Sequence, residues 1–301
     1  MSLPTLSVVI ASGAGGEFLF KLLDALREQA AAEQAQVLVA DRVGGATAAR
    51  LDRDYAWVTR IAVAAGADGK KPSVPLLRAT AAAQATGEIV AVMEEHCRPT
   101  PHWLRTVREE FRPTDAAIGG PILHDAYENR CDWVVLFSEY HNYLPPWGDG
   151  ERWLLNGANI AYRKSLLVKH AAVLTTGYWE AVLHPKLAAD GKMRGIDRLG
   201  NPTTGPFRYG YYLRQRYLLA RVWGAMQRSS APLLKRLIYL VFAPLFPFLL
   251  LARITARALK SPYLGQYLRT LPMLLPVAFV YVFGEWSGYA FGFGDALEEV
   301  E

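Results

Sequence analysis

The 301 residues are 51% apolar, which excludes intrinsic disorder and leaves room for one large domain or a domain with an appendage. Two cysteines, Cys97 and Cys131, exclude a disulfide framework and a CxxC pair, as expected in a reducing compartment. The net charge of +5 hides an asymmetry: residues 1–191 hold 19 Lys and Arg against 22 Asp and Glu, whereas residues 192–284 hold 14 against the single acid Asp197. Such a basic block calls for an anionic neighbour, either phosphorylated substrate or lipid head groups. Nucleic acid is set aside, because the block merges into strongly apolar sequence and carries no nucleic-acid module. Met1-Ser2-Leu3-Pro4 has neither a basic stretch nor a long apolar run, so no leader peptide is expected.

Residues 6–10 form a short β-branched run without alternation, the pattern of a strand covered on both faces. The glycine cluster 12–16 breaks it, and Leu19, Leu22, Leu23 and Leu26 follow at the spacing of an amphipathic helix. That cluster fits a strand-to-helix turn. A phosphate cradle at the helix start is the alternative, although neither the dinucleotide nor the P-loop spacing is matched. A second strand, 37–40, ends in Asp41, an acid placed either to cap a turn or to contact a nucleotide. Residues 57–63 are a third strand. An alanine-rich helix over 74–86 stops at Gly87 and carries one charge, Arg78, which either snorkels to water or is aimed at a ligand.

The fourth strand begins at Ile89 and emerges as Glu94-Glu95-His96-Cys97-Arg98-Pro99. Ligands of open α/β sheets gather beyond the carboxyl ends of the strands. On an extended backbone Glu94 and His96 point the same way, and a carboxylate with an imidazole suits a divalent ion that holds phosphate oxygens. A helix from Pro101, a strand over 117–122 and a strand over 157–162 continue the alternation, which predicts a mostly parallel, doubly wound sheet. Between them, residues 126–155 are rich in aromatics, among them Tyr127, Trp133 and Trp153, suited to core packing or to a sugar or lipid pocket. Glu180 opens a helix with Leu183 and Leu187 inward and Gly191 as its stop; it is either a favourable first-turn charge or a carboxylate tuned as a general base. His184 is expected on the same face, as a surface or capping histidine.

A helix over 211–228 sets Arg214, Arg221 and Arg228 in one stripe, fit for pyrophosphate, lipid phosphate or a solvated face. The uncharged runs 237–252 and 271–284 each contain two prolines and fall short of the ~20 residues a spanning helix needs. Basic residues lie between them, so interfacial or re-entrant helices are expected rather than a plain hairpin.

In this order, the pieces resemble an inverting family 2 glycosyltransferase with the GT-A fold. The first strand with Ala11 and Ser12 at its end, Asp41, and Arg78 before Gly87-Glu88-Ile89-Val90 are similar to that family's nucleotide-binding half. Glu94-Glu95-His96, followed by Pro99 and Trp103, resembles its metal motif, with Glu-Glu-His where Asp-x-Asp is usual. Gly157-Ala158-Asn159 resembles the turn near the acceptor. Trp179-Glu180, with Leu183, Lys186-Leu187 and Gly191, resembles the segment that supplies the base.

The resemblance covers roughly residues 5–228, and the C-terminal part through Gly284-Glu285-Trp286 is similar to membrane-associated bacterial members. It implies a catalytic domain over 1–228 and a membrane-associated helical region over 229–301. Glu180 would be the base. Ala11, Ser12, Asp41, Arg78, Glu94, Glu95, Arg214 and Arg221 would hold the nucleotide sugar, UDP-linked by expectation. His96, Glu94 and Glu95 would hold Mn²⁺ or Mg²⁺. The acceptor would be a lipid or lipid-linked molecule at the cytoplasmic face of the inner membrane. The alternatives are a polyprenyl-phosphate sugar synthase and a non-catalytic nucleotide-sugar-binding membrane protein.

Overall fold

The computed structural model describes residues 4–125, 129–203, 205–230 and 232–300; Tyr127 lies outside the described residues. In chain order the first elements are β1 (Leu6–Ser12), α1 (Glu17–Ala32), β2 (Gln36–Asp41), α2 (Gly45–Asp54), β3 (Thr59–Ala62), α3 (Val74–Gln84), β4 (Ile89–Glu94) and α4 (Trp103–Glu110). Next come β5 (Asp115–Gly119), β6 (Ile122–His124), α5 (Arg130–Tyr140), β7 (Gly150–Glu151), β8 (Asn159–Arg163) and α6 (Lys164–Lys169). The short helices α7 (Trp179–Val182) and α8 (His184–Asp190) precede β9 (Lys192–Gly195) and β10 (Asn201–Thr203). The remainder is helical: α9 (Tyr209–Ser230), α10 (Leu233–Phe242), α11 (Phe246–Ala258), α12 (Leu264–Phe291) and α13 (Ala296–Glu299).

The chain divides into two compact units, Met1–Leu123 with Trp147–Thr204, and His124–Pro146 with Gly205–Glu301. In the first, eight strands form one sheet in the order β3-β2-β1-β4-β8-β5-β9-β7. β1, β2, β3 and β4 are mutually parallel, and β8 is antiparallel to both β4 and β5. All seven residues of β1 and the first five of β4 are buried, which is why both read as unbroken apolar runs. The register sets Ala11 beside Glu94 and Ser12 beside Asp41, so the carboxyl ends of three adjacent strands meet.

Local chemistry explains where the elements stop. The Ser73 hydroxyl accepts from the Leu76 amide to cap α3, with Pro75 in the first turn. The helix ends at Gln84, ahead of Gly87, whose role is different: a Cβ there would lie 2.5 Å from the backbone of Leu6 and Ser7. The single strand expected over 117–122 is two. At Gly120 a Cβ would meet the Leu199 carbonyl at 2.1 Å, and Pro121 has no amide to donate, so the ladder breaks and β6 pairs with β10 instead. Likewise the helix expected after Glu180 is split at Leu183, where Pro185 starts the second piece.

In the helical unit, α9 and α12 pack at backbone distance. A Cβ on Gly284 would sit 2.5 Å from the Tyr217 carbonyl, and one on Gly288 2.2 Å from the Arg221 carbonyl. These two glycines, four apart, let the helices touch as small residues do in membrane helix pairs. The run 271–284 is therefore not a broken segment but the middle of a continuous 28-residue helix that carries Pro272 and Pro276 inside it. By length and composition, α12 is the one helix among the described residues able to cross a membrane; 39% of its most apolar stretch is buried within the protein. The run 237–252 is broken, into α10, a 3-10 turn and α11.

Candidate active site

Arg78 is the centre of the site. Its helix, α3, packs against β1 and β2, and the side chain is 1% exposed, which excludes snorkelling. Its Nη2 donates to Glu94 Oε1 at 2.9 Å, and its Nη1 stands 3.9 Å from Glu180 Oε1. One buried guanidinium thus lies between the acid at the end of β4 and the acid at the start of α7. Burial pushes the Glu180 carboxyl above the ordinary glutamate range, and the Arg78 charge pulls the other way. Such a carboxylate, held in a dry place beside a cation, suits proton abstraction near neutral pH.

Buried polar atoms without a hydrogen-bond partner occur on four of these side chains: Ser12 Oγ, Asp41 Oδ2, Arg78 Nε and Glu180 Oε2. Asp41 divides its work. Oδ1 accepts the amides of Val43 and Gly44, capping the turn into α2, while Oδ2 has only the Arg60 guanidinium at 3.8 Å. Buried polar groups are normally satisfied, so orphans grouped at adjoining strand ends mark a place built for a ligand. Ala11 is buried beside them, contributing close backbone rather than a functional group.

The metal motif separates into two parts. His96 Nε2 lies 3.2 Å from Glu94 Oε2, but β4 ends at Glu94, so a turn closed by the Cys97 amide on the Glu94 carbonyl, and not the extended backbone expected there, brings the two together. Glu95 turns the opposite way and is 7% exposed; its carboxylate accepts the amides of Ala14 at 3.1 Å and Gly15 at 2.7 Å. Those amides belong to the glycine cluster, so a protein carboxylate occupies the cradle that phosphate was considered for. Glu95 is accordingly a clamp on the β1–α1 loop and not a metal ligand. Among the described residues, no three His, Cys, Asp or Glu side chains are grouped to hold a metal. A pair still fits an ion whose other positions are filled by substrate phosphate and water, the usual arrangement for Mg²⁺ at phosphates.

The Gly157-Ala158-Asn159 turn and the Trp179-Glu180 segment lock together. Trp103 Nε1 donates to Asn159 Oδ1 at 2.8 Å, and Asn159 Nδ2 donates to the carbonyls of Pro121 and Leu199. This fixes the Gly157 turn under Glu180: a Cβ on Gly157 would come within 2.0 Å of Glu180 Oε1 and 2.9 Å of Arg78 Nη1. His184 is not a surface histidine. It is fully buried, its Nε2 lies 2.8 Å from the Tyr162 hydroxyl, and burial pushes it down to about 3, so it is neutral. Tyr162 also packs edge-on against Trp179, whose indole donates to the Leu174 carbonyl. His184 and Tyr162 were not expected in this support, and only the Trp179-Glu180-x-x-x-His184 spacing hinted at it.

Arg214 and Arg221 belong to the helical unit and are engaged by its C-terminal segment. Arg214 pairs with Glu299, and Arg221 donates to the Gly292 carbonyl at the end of α12. The arginine stripe is real, but its partners there are a carboxylate and a helix terminus.

No protein-family model and no curated protein matches the sequence. Among solved structures, the mannosyltransferase PcManGT from Pyrobaculum calidifontis, in complex with GDP-Man and Mn²⁺, matches with a TM-score of 0.57 at 15% identity, covering 97% of this chain and 88% of that one. GalNAc-T7 with UDP, GalNAc and Mn²⁺ matches with a TM-score of 0.49 at 12% identity, over 68% of this chain and 44% of that one. The likeness to the mannosyltransferase and the large, mostly parallel sheet give this chain the GT-A type of α/β fold.

Proposed function

We propose that the protein is an inverting glycosyltransferase of family 2 type, moving a sugar from a nucleotide-diphosphate donor to a lipid or lipid-linked acceptor at the cytoplasmic membrane face. The observation that carries this reading is Arg78, buried between Glu94 and Glu180 among polar atoms that lack partners. A sugar transfer by single displacement needs a base for the acceptor hydroxyl and positive charge for the leaving diphosphate. Glu180 Oε2 is an open acceptor for the hydroxyl proton. The Arg78 charge favours the ionised form of Glu180, which is the form that accepts the proton, and stands beside it at the Gly157 turn. Ser12 and Asp41, at neighbouring strand ends, meet the nucleoside. Glu94 and His96 would hold a divalent ion, which when bound supplies positive charge against the diphosphate. The neighbour's complex with GDP-Man supports the donor class. Exposed apolar side chains on α10, α11 and α12 support the membrane setting.

The test is a thermal-shift screen of nucleotide sugars with and without Mn²⁺. A donor at a hundredfold excess over its Kd stabilises the folded chain by about 2.7 kcal/mol. If no nucleoside diphosphate or nucleotide sugar raises the melting temperature, the reading fails. Glu180→Gln is then expected to bind donor normally and lose about 10²–10⁴-fold in turnover. A polyprenyl-phosphate sugar synthase, whose phosphate nucleophile needs no strong base, would instead keep its turnover in Glu180→Gln.

A further inference from the structure

Helices α9 and α12 run parallel. The Tyr209 hydroxyl donates to the Met273 carbonyl at 2.7 Å, the Arg216 guanidinium lies 4.4 Å from the centre of the Tyr281 ring, and the Tyr289 hydroxyl donates to Gln227 Oε1 at 2.9 Å. With Tyr217 at Gly284 and Arg221 at Gly288, partners rise together from one end of α9 to the other. The chain then turns back. A Cβ on Gly294 would lie 2.5 Å from Arg221 Nη2, and Glu299 on α13 pairs with Arg214, so the non-helical stretch 292–295 and α13 return along α9. Arg214 falls between Tyr209 and Tyr217, level with the uncharged run 271–284 of α12. Its pair with Glu299 is open to solvent, the two side chains being 56% and 45% exposed.

The length and composition of α12 permit it to cross a bilayer, but its neighbours do not. A crossing takes about 20 residues, and only residues 264–272 of α12 precede the point where α9 begins beside it. Any crossing would therefore carry α9 along, and with α9 an exposed ion pair and a stretch of irregular backbone, neither of which is tolerated facing lipid. The opposite face of α12 has a different character. Leu268, Leu271, Leu275, Phe279 and Phe283 are exposed three or four residues apart, one apolar stripe along the helix. Phe279 meets Phe248 of α11 edge-on at 5.8 Å, so the stripe continues onto the exposed Phe248 and Leu249. α11 runs antiparallel to α12, since Thr255 shares a hydrogen bond with Tyr267 while Phe248 reaches Phe279. The exposed cations Arg253, Arg257, Lys260 and Arg269 are thereby gathered at one end of this surface, and residues 233–284 contain no acid. A second copy would bring no carboxylate from the same surface to meet those cations, whereas anionic head groups would meet them.

We propose that the helical unit is seated in a single leaflet: α12 lies along the membrane surface with its 268–283 stripe and the exposed side of α11 among the acyl chains, crosses nowhere, and leaves α9 and α13 in water. The proposal rests on the membrane setting of the proposed function and goes beyond it to the topology, in which both ends of α12 stay on the same side.

The experiment measures depth on the full chain bound to phosphatidylcholine vesicles that contain phosphatidylglycerol. Leu268→Cys, Leu275→Cys and Phe283→Cys, all exposed positions, each take a bimane label, while Cys97 and Cys131 are buried and stay unlabelled. Lipids that carry a doxyl quencher near the head group or near the chain end report the depth. Leu268 and Phe283 lie about 22 Å apart along the helix axis. A surface helix keeps all three labels at one level, about 5–10 Å into the boundary between head groups and acyl chains, where the shallow probe quenches them. A crossing helix puts Leu275 near the middle of the core, quenched by the deep probe, with Leu268 and Phe283 shallow. That result overturns the proposal, and Leu268 with Leu275 is enough to show it. Failure of the wild-type chain to sediment with the vesicles also overturns it, and a dimer at sedimentation equilibrium would then name a second copy as the occupant. Thermal shift with nucleotide sugars on the same samples keeps the two readings apart. Loss of donor binding defeats the enzyme and leaves the depth profile standing, whereas a crossing profile defeats the topology and leaves the enzyme standing.

Discussion

At the scale of single residues, His184 shows how the site is supported from behind. A histidine held neutral at about 3 in the folded chain and ordinary when unfolded binds fewer protons folded than unfolded between those values. Stability is then fully present above the unfolded value near pH 6.5 and is lost as pH falls toward 3. The slope from this one group is at most about 1.4 kcal/mol per pH unit. Denaturant midpoints measured from pH 7 to 5 should fall in wild type and fall less steeply in His184→Gln. Gly157 is more constrained. In Gly157→Ala the new methyl must displace Glu180 or Arg78, so activity should drop with Glu180 while donor binding survives, at a stability loss of about 1–3 kcal/mol. The acid limb of the turnover profile should lie above the ordinary glutamate range, because burial raises Glu180. A limb at or below pH 4.5 would remove Glu180 from the role of base.

At the scale of elements, strand ends were legible and loop economies were not. β1, β2 and β4 announce themselves as apolar runs, and Ser12, Asp41 and Glu94 then fall at their carboxyl ends by counting. The extended backbone expected through His96 stops at Glu94, and only the folded chain shows that the turn after it sets His96 against Glu94 while Glu95 holds the amides of Ala14 and Gly15. Removing that clamp should loosen the loop: Glu95→Ala is expected to cost about 1–3 kcal/mol and to weaken donor binding more than it slows turnover. The arginine stripe of α9 has the spacing read from the sequence, but its partners Glu299 and Gly292 lie 85 and 71 residues further along the chain. Prolines 272 and 276 suggested interruption, whereas α12 runs through them because its stability comes from packing on α9. Gly288→Val, with a branched side chain where even a Cβ is 2.2 Å from a carbonyl, should force α9 and α12 apart and lower the melting temperature in detergent.

For the whole molecule, the charge asymmetry of the sequence maps onto the division into units only approximately. The boundary expected at residue 228 falls within α9, which groups with the C-terminal helices, as does the stretch His124–Pro146. Contiguous composition cannot reveal this, because an insertion between two strands can leave one unit and join the other. The exposed apolar side chains of α10 and α11 give the membrane reading its direct test. Val241, Leu245 and Phe248 are 69%, 56% and 58% exposed, so changing all three to Asp leaves the buried core in place and gives up the edge-on contact of Phe248 with Phe279. The triple variant should move to the soluble fraction with donor binding intact, and one that still sediments with membranes would defeat the anchor.

One feature of the sheet bears on how the chain is made. β4 and β5 are separated by β8, which reaches them from later in the sequence, and the second neighbour of β5, β9, comes later still. During synthesis, therefore, β4 is completed with one open edge and β5 emerges with no mate at all, until residue 163 has left the ribosome. Unpaired edges of this sort attract other chains. A fragment stopped at residue 150 should consequently form insoluble material or need a holding chaperone, while one extended through β9 stays in solution.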